Sequence, residues 1–520
     1  MAPTLKRARL VSEGSLNRML QAAAESWRHQ DYTQYFETME RASRSDPANH
    51  HILLDLGLAY GTRYEYSAAE RCFEKAIRLA PRKAEVLALA GTHCRNFGQY
   101  EMARRYFERA IEQPGATADS FVKLAELCER FRLLDQASVL VERALHLDKE
   151  CALAWLVRAR LERLAGRLDQ AEALLRPLLA KNDAGTWSTR IRAWYELGAI
   201  LDRHGRFDEA MDAWLKAKEL LRPSAAQFIA SQAAIHQHLQ EAAADITESV
   251  LQRWFDFRQA LQPSHPLALL CGHPRSGTTL LEQVLDSHPG VVSAEETPIF
   301  FETYLGLKRG FPDSASMLSV LESAAPTKLL ESRENYLRCM NLFHDHQLGD
   351  RLLLDKNPSL TALLPAFIRV FPEAKFLVAL RDPRDVCLSF FMQPLPLNLT
   401  SASYLSLEGT VAEYAALMGV WTAIGPRMRN PFIEVRYEDL VEDLASVSKK
   451  VLEFLGLPWD ENVLRFDEHA RKKLVRSPTY ADVTKPVFKG AIGRWRNYQK
   501  YLDPWTDKLQ PFLDSFGYSQ

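Results

Sequence analysis

Small and apolar residues return along the first half of the chain at a constant step of 34 positions. Gly57 is followed by Gly91, Phe73 by Phe107, Ala69 by Ala103, Ala137 and Ala171, and Ala76 by Ala110 and Ala144. Between these markers apolar residues recur every third or fourth position, the period of an amphipathic helix, and small residues at fixed spacing let paired helices approach closely. After a five-residue insertion near 181–186 the series resumes, with Gly198, Gly205, Ala210, Trp214 and Ala217 lying 39 positions beyond Ala159, Gly166, Ala171, Leu175 and Leu178. A weaker register runs back through Ala23, Ala42 and Pro47, the last 34 positions before Pro81.

The pattern resembles the tetratricopeptide repeat. It predicts a tail at 1–14, about six repeats over 15–222 forming an α-solenoid, and two capping or linking helical stretches at 223–263, the second being ITESVLQRWFDFRQAL. Pro263 and Pro266 mark the boundary that follows. A solenoid of this kind presents a concave surface suited to a protein or peptide, and it also suits a scaffold or a homo-oligomer. Tyr60, Tyr64, Phe73, Tyr106 and Phe107 stand at helical spacing and are assigned to packing between helices.

From Leu267 the pattern changes to short apolar runs, each leading into a helical segment: LALLCG, RLLLD at 351–355, AKFLVAL at 374–380 and PFIEVRY at 431–437. Such runs are buried on both faces and predict an α/β domain of P-loop type at 264–520, with a parallel sheet covered by helices.

Charge and cysteine content narrow the chemistry. Sixty-five basic against 66 acidic residues leave a net charge of −1, so no global field recruits a polyanion, nucleic acid is not an expected partner, and any anion site is built locally. The seven cysteines are scattered without a CxxC pair, which argues against a disulfide framework or a zinc site. No uninterrupted apolar run approaches the ~18 residues of a membrane span, and the basic start lacks a signal-like apolar stretch, so a cytoplasmic protein with no metal is expected.

The turn after the first strand reads Gly272-His273-Pro274-Arg275-Ser276-Gly277-Thr278-Thr279. It keeps the glycine spacing of a phosphate-binding loop but has Thr278 where nucleotide hydrolases place lysine. Backbone N–H groups at a helix start still converge on an anion, so a nucleotide donating something other than a phosphoryl group suits it. A hundred residues later Arg381 and Ser389 stand eight apart across a strand end and the following helix, a spacing that lets a forked cation and a hydroxyl meet one phosphate.

These blocks, with AEET at 294–297, LDKNP at 354–358, VRYEDL at 435–440 and the tail around Lys485-Pro486 and Ile492–Trp495, resemble the sulfotransferase family, its tyrosylprotein branch above all. Joined to the repeats, the chain is similar to the tetratricopeptide-repeat sulfotransferases. The resemblance implies sulfuryl transfer from 3′-phosphoadenosine 5′-phosphosulfate to an acceptor hydroxyl. Arg275, Ser276, Gly277, Thr278 and Thr279 would hold the 5′-phosphosulfate; Arg381 and Ser389, with Arg384 as a helper, the 3′-phosphate. Tyr437 and Arg494 match donor-contacting positions, and Thr479 or its competitor Ser477 a hydroxyl aimed at the sulfate. Glu296 matches the base and Lys356 a lysine near the bridging oxygen. Glu295 is the neighbour that extended backbone would point the other way.

The acceptor side departs from the tyrosylprotein pattern, because Thr297-Pro298-Ile299-Phe300-Phe301 replaces arginines that read acidic neighbours of the target tyrosine. Pro298, Phe300 and Phe301 suggest an apolar wall, and the acceptor stays open among a protein tyrosine, a phenol, a sugar and another alcohol. His273, His288, His344 and His346 are alternative bases. A P-loop kinase or hydrolase, and a repeat scaffold with a relic nucleotide-binding domain, are the competing readings. All matched donor residues lie beyond Cys271, so the repeats are expected to take no part in the chemistry.

Overall fold

In the structure, a computed structural model, residues 13–28, 31–180, 185–261, 265–472, 487 and 489–518 are described. The chain divides into two compact units, Met1–Leu161 and Glu162–Gln520.

The first unit consists of consecutive helices, among them His50–Thr62, Tyr66–Leu79, Lys83–Asn96, Tyr100–Ile111, Ala118–Arg130 and Leu134–Leu147. Side-chain caps start several of them: Asn49 accepts from His51 and Ile52 N–H, and Thr117 from Ser120 N–H. The 34-residue step has a steric origin. A Cβ on Gly57 would lie 2.3 Å from Phe73, and one on Gly91 would lie 3.0 Å from Phe107, each aromatic ring filling the space opposite the glycine of its own helix pair. In the next pair the same two positions are Ala125 and Val141, both buried, so a larger residue on one helix is matched by less bulk on its partner. Phe73, Tyr106 and Phe107 are buried in this core, and Tyr60 packs against it.

The second unit begins inside the repeat region. One continuous helix, Phe207–Asp245, crosses the expected boundary at 222/223 and carries Pro223 in its interior. Proline removes one helical N–H, but both flanks are held by packing, the first half against helix Trp187–Arg203 and the second against helix Leu407–Ile424. The steric rule recurs: a Cβ on Gly198 would lie 2.3 Å from Trp214. Helix Glu248–Asp256 follows, opened by the cap of Thr247.

Five parallel strands then form one sheet: β1 (Leu267–Gly272), β2 (Val291–Glu295), β3 (Leu352–Lys356), β4 (Lys375–Leu380) and β5 (Phe432–Arg436), ordered β2-β3-β1-β4-β5. Four coincide with the apolar runs read in the sequence; β2, with the pattern VVSAE, was not anticipated. Ala268, Leu270, Leu354 and Leu377 face a core built with Leu281, Val284, Leu440 and Leu452. The alternate residues are buried as well, with Phe376 meeting Phe367 at a ring separation of 5.9 Å. Helices therefore cover both faces. The chain leaves β1 toward β3 and β2 and returns on the other side at β4, so the crevice beyond the carboxyl ends of β1 and β4 is where such sheets take ligands.

Gly57→Ala should destabilise the first unit by about 1–3 kcal/mol through overpacking against Phe73. Adding Phe73→Leu should give a loss smaller than the sum of the two single losses, and chemical denaturation of the three variants checks this.

Candidate active site

Each strand of the sheet delivers a chemistry-bearing residue at its carboxyl end. Beyond β1, Gly272 has φ +128° and a Cβ there would lie 2.4 Å from the carbonyl oxygen of Ala379 on β4, so only glycine allows the chain to turn here while the two strands stay this close. Arg275 is held at φ +78°, a left-handed conformation unusual for a side-chain-bearing residue. Gly277, at φ +92°, opens helix Thr278–Asp286, and a Cβ on it would lie 2.6 Å from the Tyr437 ring. Thr278 and Thr279 begin that helix, whose first N–H groups are directed outward from the sheet.

The second constellation folds onto this loop. Arg275 Nε donates to Ser389 Oγ at 3.2 Å, and Arg381 donates to the Arg275 carbonyl oxygen at 3.2 Å and to that of Ala491 at 2.5 Å. The Arg381 guanidinium lies 4.9 Å from the centre of the Tyr437 ring. Helix Pro383–Phe391 places Arg384 differently: it pairs with Asp382 through bonds of 2.9 and 2.7 Å and stacks 3.9 Å over Trp495.

On the other side of β1, Lys356 is fully buried at the end of β3. Its Nζ lies 2.7 Å from Glu296, 3.5 Å from Glu282 and 3.7 Å from Glu295. Burial pulls its pKa down, but Glu282, Glu296 and Glu295 outweigh that and hold it above its ordinary value. The alternation expected of Glu295 and Glu296 fails because β2 ends there. Glu296 takes φ +50°, which turns both carboxylates toward the same ammonium. They differ in access: the Glu295 side chain is 4% exposed and that of Glu296 43%. Glu282 received no role in the sequence reading, yet it is wholly buried and accepts from Ser293 Oγ at 2.7 Å; a lone glutamate on the apolar stretch TTLLEQVLD was the available signal.

A cleft of about 720 Å³ brings together Arg275, Gly277, Thr278, Thr279, Glu296, Arg381, Ser389, Tyr437 and Arg494. Ser276 is buried behind the loop, and Lys356 stands behind Glu296. Thr479 and Ser477 lie outside the described residues. His273 is no base: it is fully buried between Phe390 and Tyr414, and burial pushes it down to about 4. His288 is likewise buried, within hydrogen-bond distance of the Pro458 carbonyl oxygen and the Gly290 N–H. The expected apolar wall is also displaced. Phe300 is a core residue 4.5 Å from Phe367, and Phe301 is exposed on helix Ile299–Lys308 away from the cleft. The apolar lining comes instead from Leu388, Phe390, Met392, Leu395, Pro396 and Tyr404.

Two further wall residues precede Cys271. Asp202 and Arg203, at the end of helix Trp187–Arg203, line the cleft, so the repeat region contributes to its wall although every residue matched to the donor lies beyond Cys271. The physical reason is the long helix: Lys218 Nζ donates to the Tyr404 carbonyl oxygen at 2.6 Å, and His236 meets Glu413 at 2.7 Å, fixing the last helix pair beside the cleft. Among the described residues, no group of three or more His, Cys, Asp or Glu is arranged to hold a metal ion, and no helix is long and apolar enough to cross a membrane.

A model of the sulfotransferase family matches residues 266–461, and a tetratricopeptide-repeat model matches 54–120. The chain is 26% identical over 332 residues to an uncharacterised protein of Aquifex aeolicus, covering 62% of this chain and 42% of that one. It is 28% identical over 269 residues to protein-tyrosine sulfotransferase 1 of Danio rerio, covering 49% of this chain and 72% of the relative. Among solved structures, the sulfotransferase domain of the Synechococcus PCC 7002 olefin synthase is similar at 24% identity and TM-score 0.37, covering 50% of this chain and 98% of that domain. The chain thus carries a tetratricopeptide-like helical region and a sulfotransferase-family domain.

Beside Lys356, buried Asp355 points the opposite way, accepting from Tyr336 O–H at 2.8 Å. Burial raises it to about 7, more than Tyr336 and Lys356 lower it. The folded chain therefore holds a proton there that the unfolded chain releases near pH 4, so this group costs stability as pH rises from about 4 to 7. Asp355→Asn should remove that loss: its thermal midpoint should gain on the wild type through this window and keep a constant lead above it.

Proposed function

We propose that the α/β domain is a P-loop-type sulfotransferase that moves a sulfuryl group from 3′-phosphoadenosine 5′-phosphosulfate to an acceptor hydroxyl. The observation that carries this reading is the convergence on one cleft of the lysine-free loop, the Arg381/Ser389 pair and the carboxylate of Glu296. The loop N–H groups and Arg275 suit the 5′-phosphosulfate. Arg381 and Ser389, already bonded to Arg275 or its backbone, suit the 3′-phosphate, and Tyr437 is placed to pack against the nucleotide.

In the displacement, the acceptor oxygen bonds to sulfur while its proton passes to Glu296, and the bond from sulfur to the bridging oxygen of the 5′-phosphate breaks. Lys356 Nζ, 2.7 Å from Glu296, holds that carboxylate in place as the acceptor. Once Glu296 is protonated, the same ammonium loses its closest counter-charge and is left to stabilise the negative charge growing on the leaving group. Protein tyrosine, a phenol, a sugar or another alcohol fits this chemistry; the apolar lining from Leu388 to Tyr404 favours a phenol or a hydroxyl on an apolar frame. The repeats are read as the holder of a protein or peptide acceptor, and the scattered cysteines as fitting a reducing, cytoplasmic compartment.

Incubating the full chain with ³⁵S-labelled donor and a panel of phenols and tyrosine peptides should label one of these classes; no transfer to any, with no nucleotide bound, would overturn the reading. 3′-Phosphoadenosine 5′-phosphate should raise the thermal midpoint far more than ATP does. Arg381→Ala should weaken its binding tens-fold, since a charged contact contributes about 1.5–3 kcal/mol. Glu296→Gln should lower turnover about 10²–10⁴-fold with donor affinity nearly intact, as read by single-turnover kinetics beside calorimetry.

A further inference from the structure

The segment Gly493–Tyr498 is clamped between two carboxylates. On one side Asp385, buried next to Arg381, accepts from Gly493 N–H at 2.7 Å and from Trp495 N–H at 2.8 Å. On the other side Asp202, at the end of helix Trp187–Arg203, accepts from Tyr498 O–H at 2.6 Å through one oxygen and from Arg494 Nη2 through the other. The Tyr498 ring is fully buried, 5.4 Å from Phe207 and 5.8 Å from Trp214 of the following helix. Just beyond, Lys500 and Tyr501 both bond Asp208 at 2.8 and 3.0 Å.

Arg494 is therefore fixed by the last helix pair of the repeat region while its side chain lines the cleft. A guanidinium has five N–H donors, and Asp202 engages it through Nη2 alone, which leaves donors free to meet an anion. A long side chain already held at the cleft loses little further freedom when it takes a ligand.

We propose that Asp202 is a positioning residue: it holds Arg494 in the orientation that binds the nucleotide donor, so that the end of the repeat region is part of the donor site. This rests on the reading of the cleft as a donor site. The opposite sign has a clear physical form, in which the Asp202 carboxylate keeps Arg494 away from the donor and repels its phosphates.

The test uses the full chain, titrated by calorimetry with 3′-phosphoadenosine 5′-phosphate. Asp202→Asn should weaken binding about tenfold, the size of one charge-assisted contact, and the kinetic loss should fall on KM for the donor more than on turnover at saturating donor. Arg494→Ala should weaken binding by at least as much, and the double variant should bind no worse than Arg494→Ala alone, because Asp202 acts only through Arg494. Tyr498→Phe, which keeps the buried ring and removes one hydrogen bond, should weaken binding in the same direction by a smaller factor; it decides the matter if Asp202→Asn does not fold. Tighter binding by Asp202→Asn, unchanged binding by the folded variants, or losses that multiply in the double variant would overturn the assignment. A wild-type chain that does not bind the bisphosphate would overturn the donor-site reading along with it.

Discussion

Lys356 is the interaction on which the rest of the site depends. An ammonium with no solvent access is tolerable only when carboxylates surround it, and here Glu282, Glu295 and Glu296 each come from a different direction: the helix after the phosphate-type loop, the last residue of β2, and the turn that leaves β2. Removing the lysine from such a cluster leaves buried carboxylates uncompensated, typically at about 3–5 kcal/mol. The helix carrying Thr278 and Thr279, the strand that leads into Glu296 and the strand carrying the lysine are thereby tied at one point. Only Glu296 of the three reaches the cleft, so the same cluster that fixes the sheet edge also presents one carboxylate to it.

The sequence was most informative where geometry follows from a short local pattern. Gly272 and Gly277 could be read because both stand where a side chain would strike backbone or ring, and Arg381 with Ser389 because eight residues across a strand end and two helical turns fix their separation. The repeat step could be read for a similar reason, since each glycine answers an aromatic ring 16 positions later. β2 escaped because VVSAE is short and was absorbed into the motif it precedes. Phe300 was misplaced because an apolar triplet near Glu296 says nothing of which ring turns inward.

What the sequence could not reveal is pairing between distant segments. Glu282 lies 74 positions before Lys356, and Asp202 lies 292 before Arg494. Neither carboxylate carries a role that a local motif assigns, and in both cases the partner is chosen by the packing of whole helices. The same holds for Lys218, an ordinary-looking basic residue on a helix, which is fully buried over the Phe391 ring and donates to the backbone of a cleft-lining segment. Burial pushes it down to about 7, which is consistent with a lysine serving as a neutral or singly paired donor inside a structural joint.

Net charge near zero gives this arrangement its logic. A chain without a global field has to gather cations locally to hold any anion, and Arg275, Arg381 and Arg494 come from three separate parts of the second unit. Each is restrained by something other than a ligand: Arg275 by Ser389, Arg381 by backbone carbonyl oxygens, Arg494 by Asp202. Restraint of this kind lowers the entropy lost when an anion is bound, although Asp385, 3.8 Å from Arg381, offsets part of that guanidinium's charge. Arg494 alone of the three is held by a full carboxylate from the repeat region, so it is the arginine whose strength toward an anion depends on how the last repeat helices are packed.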